Sequence, residues 1–366
     1  MTKKVLAISL LVFLLFSFSV YGEEDIPSFY ERALVLDTID GEKLDSDNIE
    51  SIQYVELEVI TGKYKGEKFS IENVLSGHPV YDIPVKSGDK VLVLIEEYED
   101  GSLEINIADY IRDFYIYILA GIFALSLLLI GKSKGLKTII TLIFTMFMVF
   151  KVLLPLMLRG FNPVTITILI SVAITVVTIL LISGFTKKSF AAIFGTISGV
   201  LIAGFLAFVV GTKVKLTGLT SEEAVMLLYI PQSVKFNFKD LLFSGILLGA
   251  LGAVMDVCMS IASSIEEVNR ANVNLSMKEL FFSGMNVGKD IMGTMSNTLI
   301  LAYTGSVVPL LLLFMAYETS LLRIINLDII ATEVVRSLAG SIGLILSIPI
   351  TAIITAVLIK REGKET

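Results

Sequence analysis

The stretch "GILLGALGAVMDVCMSIASSIEE", Gly245 to Glu267, is apolar enough to sit in hydrocarbon, yet it carries an aspartate at position 256. An ionised carboxylate facing lipid at such a depth costs about 3 kcal/mol or more. Asp256 is therefore expected to face protein or water, to be paired, or to hold a proton. At 100° per residue, Gly249, Gly252, Asp256, Ser260, Ser263 and Glu267 fall within about 80° of one another. Gly245 opens the same face. The pattern is glycines that admit a close neighbour, then an acid, then hydroxyls that could line a path for a proton, cation or small solute.

Two later segments repeat the theme. In "SGMNVGKDIMGTMSNTLILAYTG", Ser283, Asn286, Asp290, Thr294 and Asn297 share a face, with Thr304 near its edge and Leu301 interrupting it. In "ATEVVRSLAGSIGLILSIPITAIITA", Glu333, Ser337, Gly340, Ser347, Thr351 and Thr355 share a face interrupted by Leu344. Arg336 lies one turn from Glu333 and is placed to pair with it. A polar cleft between these three helices is the expectation, with Asp256, Ser260, Ser263, Asp290, Thr294 and Asn297 along it. Gly245, Gly249 and Gly252 are the helix-contact positions. The competing expectation for the hydroxyls is interhelical packing alone.

Other chemistries find less support. Asp256 and Asp290 could share a proton as an aspartyl dyad, but they fall at different depths, and no Gly-x-Gly-Asp block accompanies them. The single histidine, His78, leaves no base for a serine nucleophile inside the apolar region. One cysteine, Cys258, and one histidine make no zinc site of ordinary spacing. No phosphate-cradling glycine loop is present. No cofactor and no metal are expected.

These residues need elements to hold them. Of 366 residues, 54% are hydrophobic and 18% charged, more apolar than a soluble domain. Seven runs approach the length of a membrane span: 114–131, 138–158, 163–183, 190–211, 240–263, 291–315 and 334–359. Connections on one side hold eleven Lys and Arg, those on the other six, which places the richer side in the cytoplasm. Residues 361–366 then form a cytoplasmic tail. Lys3, Lys4 and the apolar run Val5–Val20 read as a signal peptide ending near Gly22, or as an anchor helix.

Between them, residues 23–113 carry 23 acidic and 8 basic side chains. This acidic segment argues against nucleic acid as a partner. "YVELEV" alternates Val55, Leu57 and Val59 against Glu56 and Glu58, the period of a half-buried strand. Turn signals at Gly62, Gly66, Ser87-Gly88-Asp89 and Asp100-Gly101 bring the expected strands to about five. A small extracytoplasmic barrel, OB-like in size, is the expectation, with a sandwich as the alternative.

The blocks "LGAVMDVCMSIASSIEEV", "GKDIMGTMSNTLILAYTG" and "ATEVVRSLAGSIGLILSIPITAII" resemble the signature segments of the YibE/F family of bacterial multi-pass membrane proteins, over roughly residues 30–360. The external domain followed by about seven helices is similar to the longer, YibE-like form. The resemblance implies a plasma-membrane location in Gram-positive-type bacteria and brings no catalytic residues. Its motifs fall on Asp256, Ser260, Asp290, Asn297, Glu333 and Arg336, while Asn326-Leu327-Asp328 departs from the pattern. The expected function is passage of a small ion or solute. The alternative is a scaffold or sensor that docks a partner through its β domain. Expected partners are the bilayer and, through the glycine face, a second copy or a related membrane subunit.

Overall fold

The computed structural model describes residues 27–41, 51–78, 80–230, 235–318 and 320–361. The signal or anchor segment and nearly all of the C-terminal tail lie outside them. The chain divides into two compact units, which among the described residues cover 27–126 and 127–361.

The first unit is an antiparallel sheet of five strands, β1 (Ser28–Asp40), β2 (Ser51–Val59), β3 (Lys68–Leu75), β4 (Lys90–Glu97) and β5 (Leu103–Tyr110), in the order β3-β2-β1-β4-β5. Alternation decides its faces. Val55, Leu57 and Val59 of β2 and Val91, Val93 and Ile95 of β4 are buried, and their neighbours point outward. Gly62 and Gly66 take φ values of 71° and 89° in the β2–β3 turn, where a side chain would be strained. The sheet curls into a half-barrel and does not close. With β1 central, β3 and β5 remain edges with no ladder between them.

A polar clamp covers part of the curl. The Gln53 side chain accepts the Val85 N–H at 3.0 Å and donates to Asp40 at 2.7 Å, while Asn73 donates to the Ile83 carbonyl at 2.9 Å. In the preceding loop Asp82 accepts from the Ser76 and Gly77 backbone at 2.8 and 2.7 Å. Those bonds, led by the one from Ser76, hold its carboxyl below the usual carboxylate range.

Helices follow. These are α1 (Asp113–Phe147), a π-helical stretch Met148–Leu153 leading into α2 (Leu154–Leu158), α3 (Pro163–Ser183), α4 (Lys187–Lys213), α5 (Glu222–Met226), α6 (Phe238–Ala271), α7 (Met277–Ser306), α8 (Val308–Ala316), α9 (Leu321–Ile325) and α10 (Asp328–Arg361). Among the described residues five stretches are long and apolar enough to cross a membrane, the first running from Asp113 to Leu158. The pair α7 and α8, bent by 63°, makes a sixth if it is counted as one span.

Two boundaries differ from expectation. First, 114–131 and 138–158 are joined by α1, which runs on through the π-helical turns into α2 and is broken at Lys132, whose φ of 47° and ψ of −122° are not helical. The backbone there folds sharply, since a Cβ on Gly135 would lie 1.9 Å from the Leu127 carbonyl oxygen. The π-helical turns precede Pro155, which has no N–H to return to Lys151. Second, the expected span 291–315 is not one rod. The helix starts at Met277, secured by a capping box of Ser276 and Glu279, and passes unbroken through Gly284 and Gly288. It ends at Ser306, and α8 leaves at 63° with Pro309 in its first turn.

Candidate functional site

Local sequence aims each polar stripe. On α6 the large residues Phe243, Leu247, Val254, Ile261 and Ile265 are buried. The opposite side carries Gly245, Gly249, Gly252, Asp256 and Glu267, all exposed, with Ser260 and Ser263 half-buried at its edge. Among the described residues Asp256 has no ion pair and no hydrogen bond from another side chain. On α7 the packed side is Leu280, Gly284, Gly288 and Leu299. A Cβ on Gly284 would lie 2.4 Å from Ile265, and one on Gly288 2.2 Å from Ile348. Asn286, Asp290, Thr294, Asn297 and Thr304 are exposed on the far side.

Contacts fix the relative levels. Gly284 meets Ile265, Gly288 meets Ile261, and Gly249 meets the Tyr303 hydroxyl, so α6 and α7 run antiparallel. Asp256 then stands level with the turn containing Thr294, and Asp290 level with Ser260. The two carboxylates are offset by about one helical turn, roughly 6 Å along the axis.

The third stripe goes elsewhere. Ser337, Gly340, Ser347, Thr351 and Thr355 of α10 are buried, as is the interrupting Leu344. Their partner is chiefly α4, which presents Ala191, Gly195, Gly199, Ala203, Ala207 and Gly211, a small residue at every fourth position and all buried. A Cβ on Gly195 would be 1.9 Å from the Thr351 hydroxyl, and one on Gly199 would be 2.7 Å from the Ser347 Cβ. Ser347, Thr351 and Thr355 each donate back to their own helix, to Leu344, Ser347 and Thr351 carbonyls at 2.7, 2.8 and 2.7 Å. Those hydroxyls are thus satisfied without any ligand, and the α10 stripe serves packing. The expectation of one cleft lined by all three stripes is corrected accordingly. The α6 and α7 stripes open outward, and α10's stripe is closed against α4. The fourth-residue ladder of α4 is the signal that would have shown this.

The three helices do meet at the other end. Glu333 and Arg336 pair at 3.0 Å, both partly buried, and the guanidinium lies 5.8 Å from the centre of the Tyr303 ring. Gly249 gives the tyrosine room. Gly340 approaches Ala250 and Leu299. At the opposite end Lys188 of α4 pairs with Glu266 of α6 at 2.6 Å, so both ends of the helix packing carry ionic ties. Among the described residues no group of three or more His, Cys, Asp or Glu is placed to hold a metal ion.

No curated protein and no solved structure matches this chain. Two family models do: the YibE/F family N-terminal domain over residues 35–110 and the YibE/F-like protein over residues 119–361. They take in the curled sheet from Val35 onward and every polar stripe described above. The chain belongs to the YibE/F family.

Proposed function

We propose that this is a multi-pass plasma-membrane protein that passes a small ion or solute along the polar track formed by the outward stripes of α6 and α7. The observation that carries the reading is Asp256. It sits midway along an apolar helix of 34 residues, exposed and without a side-chain partner among the described residues. An isolated acid at that depth costs about 3 kcal/mol against lipid, and water or a transported cation removes that cost. Thr294 at the same level and Asn297 beyond it continue the polar surface. Seven crossings fit the helices best. The stretch Asp113–Leu158, at 46 residues, would be about 69 Å long if straight, more than twice a hydrocarbon core, and it is broken at Lys132. The charge bias of the connections supports a cytoplasmic C-terminus and an extracytoplasmic sheet. The axial offset between Asp256 and Asp290 favours a non-enzymatic role over a shared-proton dyad.

A solute and ion flux screen in proteoliposomes tests this. Asp256→Asn is expected to abolish the flux while the protein keeps its melting temperature. No flux for any solute from the wild type would end the transport reading. The second reading, a docking scaffold, draws support from an open cavity of about 360 Å³ on the sheet, lined by Asp37, Tyr54, Glu56 and Glu72. Its acidic rim suits a basic partner.

A further inference from the structure

The outward face of α7 is too polar for lipid and is not covered by any of the described residues. Successive residues advance about 100° around a helix. On that wheel Asn286, Gly293, Asn297 and Thr304 form a line almost opposite the packed line of Leu280, Gly284, Gly288 and Leu299. Asn286, Asn297 and Thr304 are exposed, and a Cβ on Gly293 would meet nothing within 4 Å. Two charges flank the line. Lys289 lies about 60° to one side and Asp290 about 40° to the other, one residue apart in depth. Both are exposed, and neither has an ion-pair partner among the described residues.

We propose that this face is covered by α7 of a second copy of the chain. The inference rests on the membrane reading given above. Two copies inserted in the same orientation are related by a two-fold axis along the membrane normal, so their α7 helices run parallel. Equal residues then meet at equal depth. A residue on one side of the contact line faces the residue on the other side of its counterpart's line. Lys289 of each copy therefore lies beside Asp290 of the other, giving two matched pairs, where two separate copies leave four lone charges. Gly293 lets the backbones approach, and Asn286 and Asn297 have amides to exchange across the axis. The dimer seam would take Asn297 and Asp290 out of the track, which keeps Asp256, Ser260 and Thr294 and gains the second copy as its other wall.

Cysteine cross-linking of the full chain in native membranes tests this. Cys258, buried, is first changed to alanine. Single cysteines then replace Asn286, Gly293 or Asn297, with Met292→Cys as control, exposed and at a similar depth but about 120° off the line. Oxidation is expected to yield a species of twice the chain mass from the first three and little from Met292→Cys. Equal yields at all four, no dimer at any, or a link to a protein of another mass would overturn the proposal. In the Asn297→Cys background, Lys289→Asp or Asp290→Lys alone should lose most of the dimer, and the two together should restore it. Dimer yields indifferent to both single changes would also count against it. A flat flux screen with these cross-links intact would sink the transport reading alone. Recovery of the chain in the carbonate-soluble fraction would sink both.

Discussion

The α4–α10 seam and the outward face of α6 and α7 draw on the same residue types and use them in opposite ways. In the seam, serines and threonines donate to carbonyls of their own helix, and glycines and alanines bring the neighbour close enough to exclude any ligand. On the outward face, Gly245, Gly252 and Gly293 stand beside open space, and the acids and amides are exposed among the described residues. Polarity in an apolar helix is thus not itself a sign of a pathway. What separates the two regions is whether each polar atom is already satisfied and whether each glycine already has a neighbour.

The largest expected effect tests that distinction with one kind of substitution in both places. Gly199→Leu forces its Cβ into Ser347, Val254 and the Gly343 carbonyl. It should cost about 3 kcal/mol, the upper range for overpacking, read as a lower melting temperature in detergent. Gly252→Leu enters open space and should stay within about 0.5 kcal/mol. Equal losses would erase the contrast. Next, Arg336→Met removes the partner of Glu333 and the contact with the Tyr303 ring, and a partly exposed pair of this kind should cost about 1 kcal/mol in the same melt.

The smallest effect concerns pH. Asp82 has its carboxyl lowered by bonds from Ser76 and Gly77. Its contribution is full above the ordinary carboxylate value and is lost as pH falls through the lowered one. The amide shifts of Ser76 and Gly77 should therefore move only in acid, and Asp82→Asn should remove that transition. The hydroxyls of the α4–α10 seam do not titrate and should show no counterpart.

Much of this was legible in the sequence. Alternation at Val55, Leu57 and Val59 marked the strand and its buried face, and Asn162, Pro163 and Gly184 delimit α3 at the expected residues. Helical spacing grouped each stripe correctly. Direction was harder to read, because a wheel shows which residues share a face and not which helix covers it. The α10 stripe required a partner with matching small residues, and only the ladder from Ala191 to Gly211 could have supplied it. The capping pattern of Ser276 and Glu279 marked the start of α7 at Met277, while its end at Ser306 was hidden because the apolar run continues through Val307 and Pro309 into α8. Failure of the sheet to close lies in the missing ladder between β3 and β5, a long-range pairing that alternation does not encode.

The left-handed backbone of Lys132 bears on the chain's parity. On the proposed reading a reversal there makes the crossings odd in number, so the curled sheet and the end of α10 occupy different compartments. A residue that kept this position in a straight helix would make the number even and bring both to the same aqueous phase, with every later loop exchanged between inside and outside.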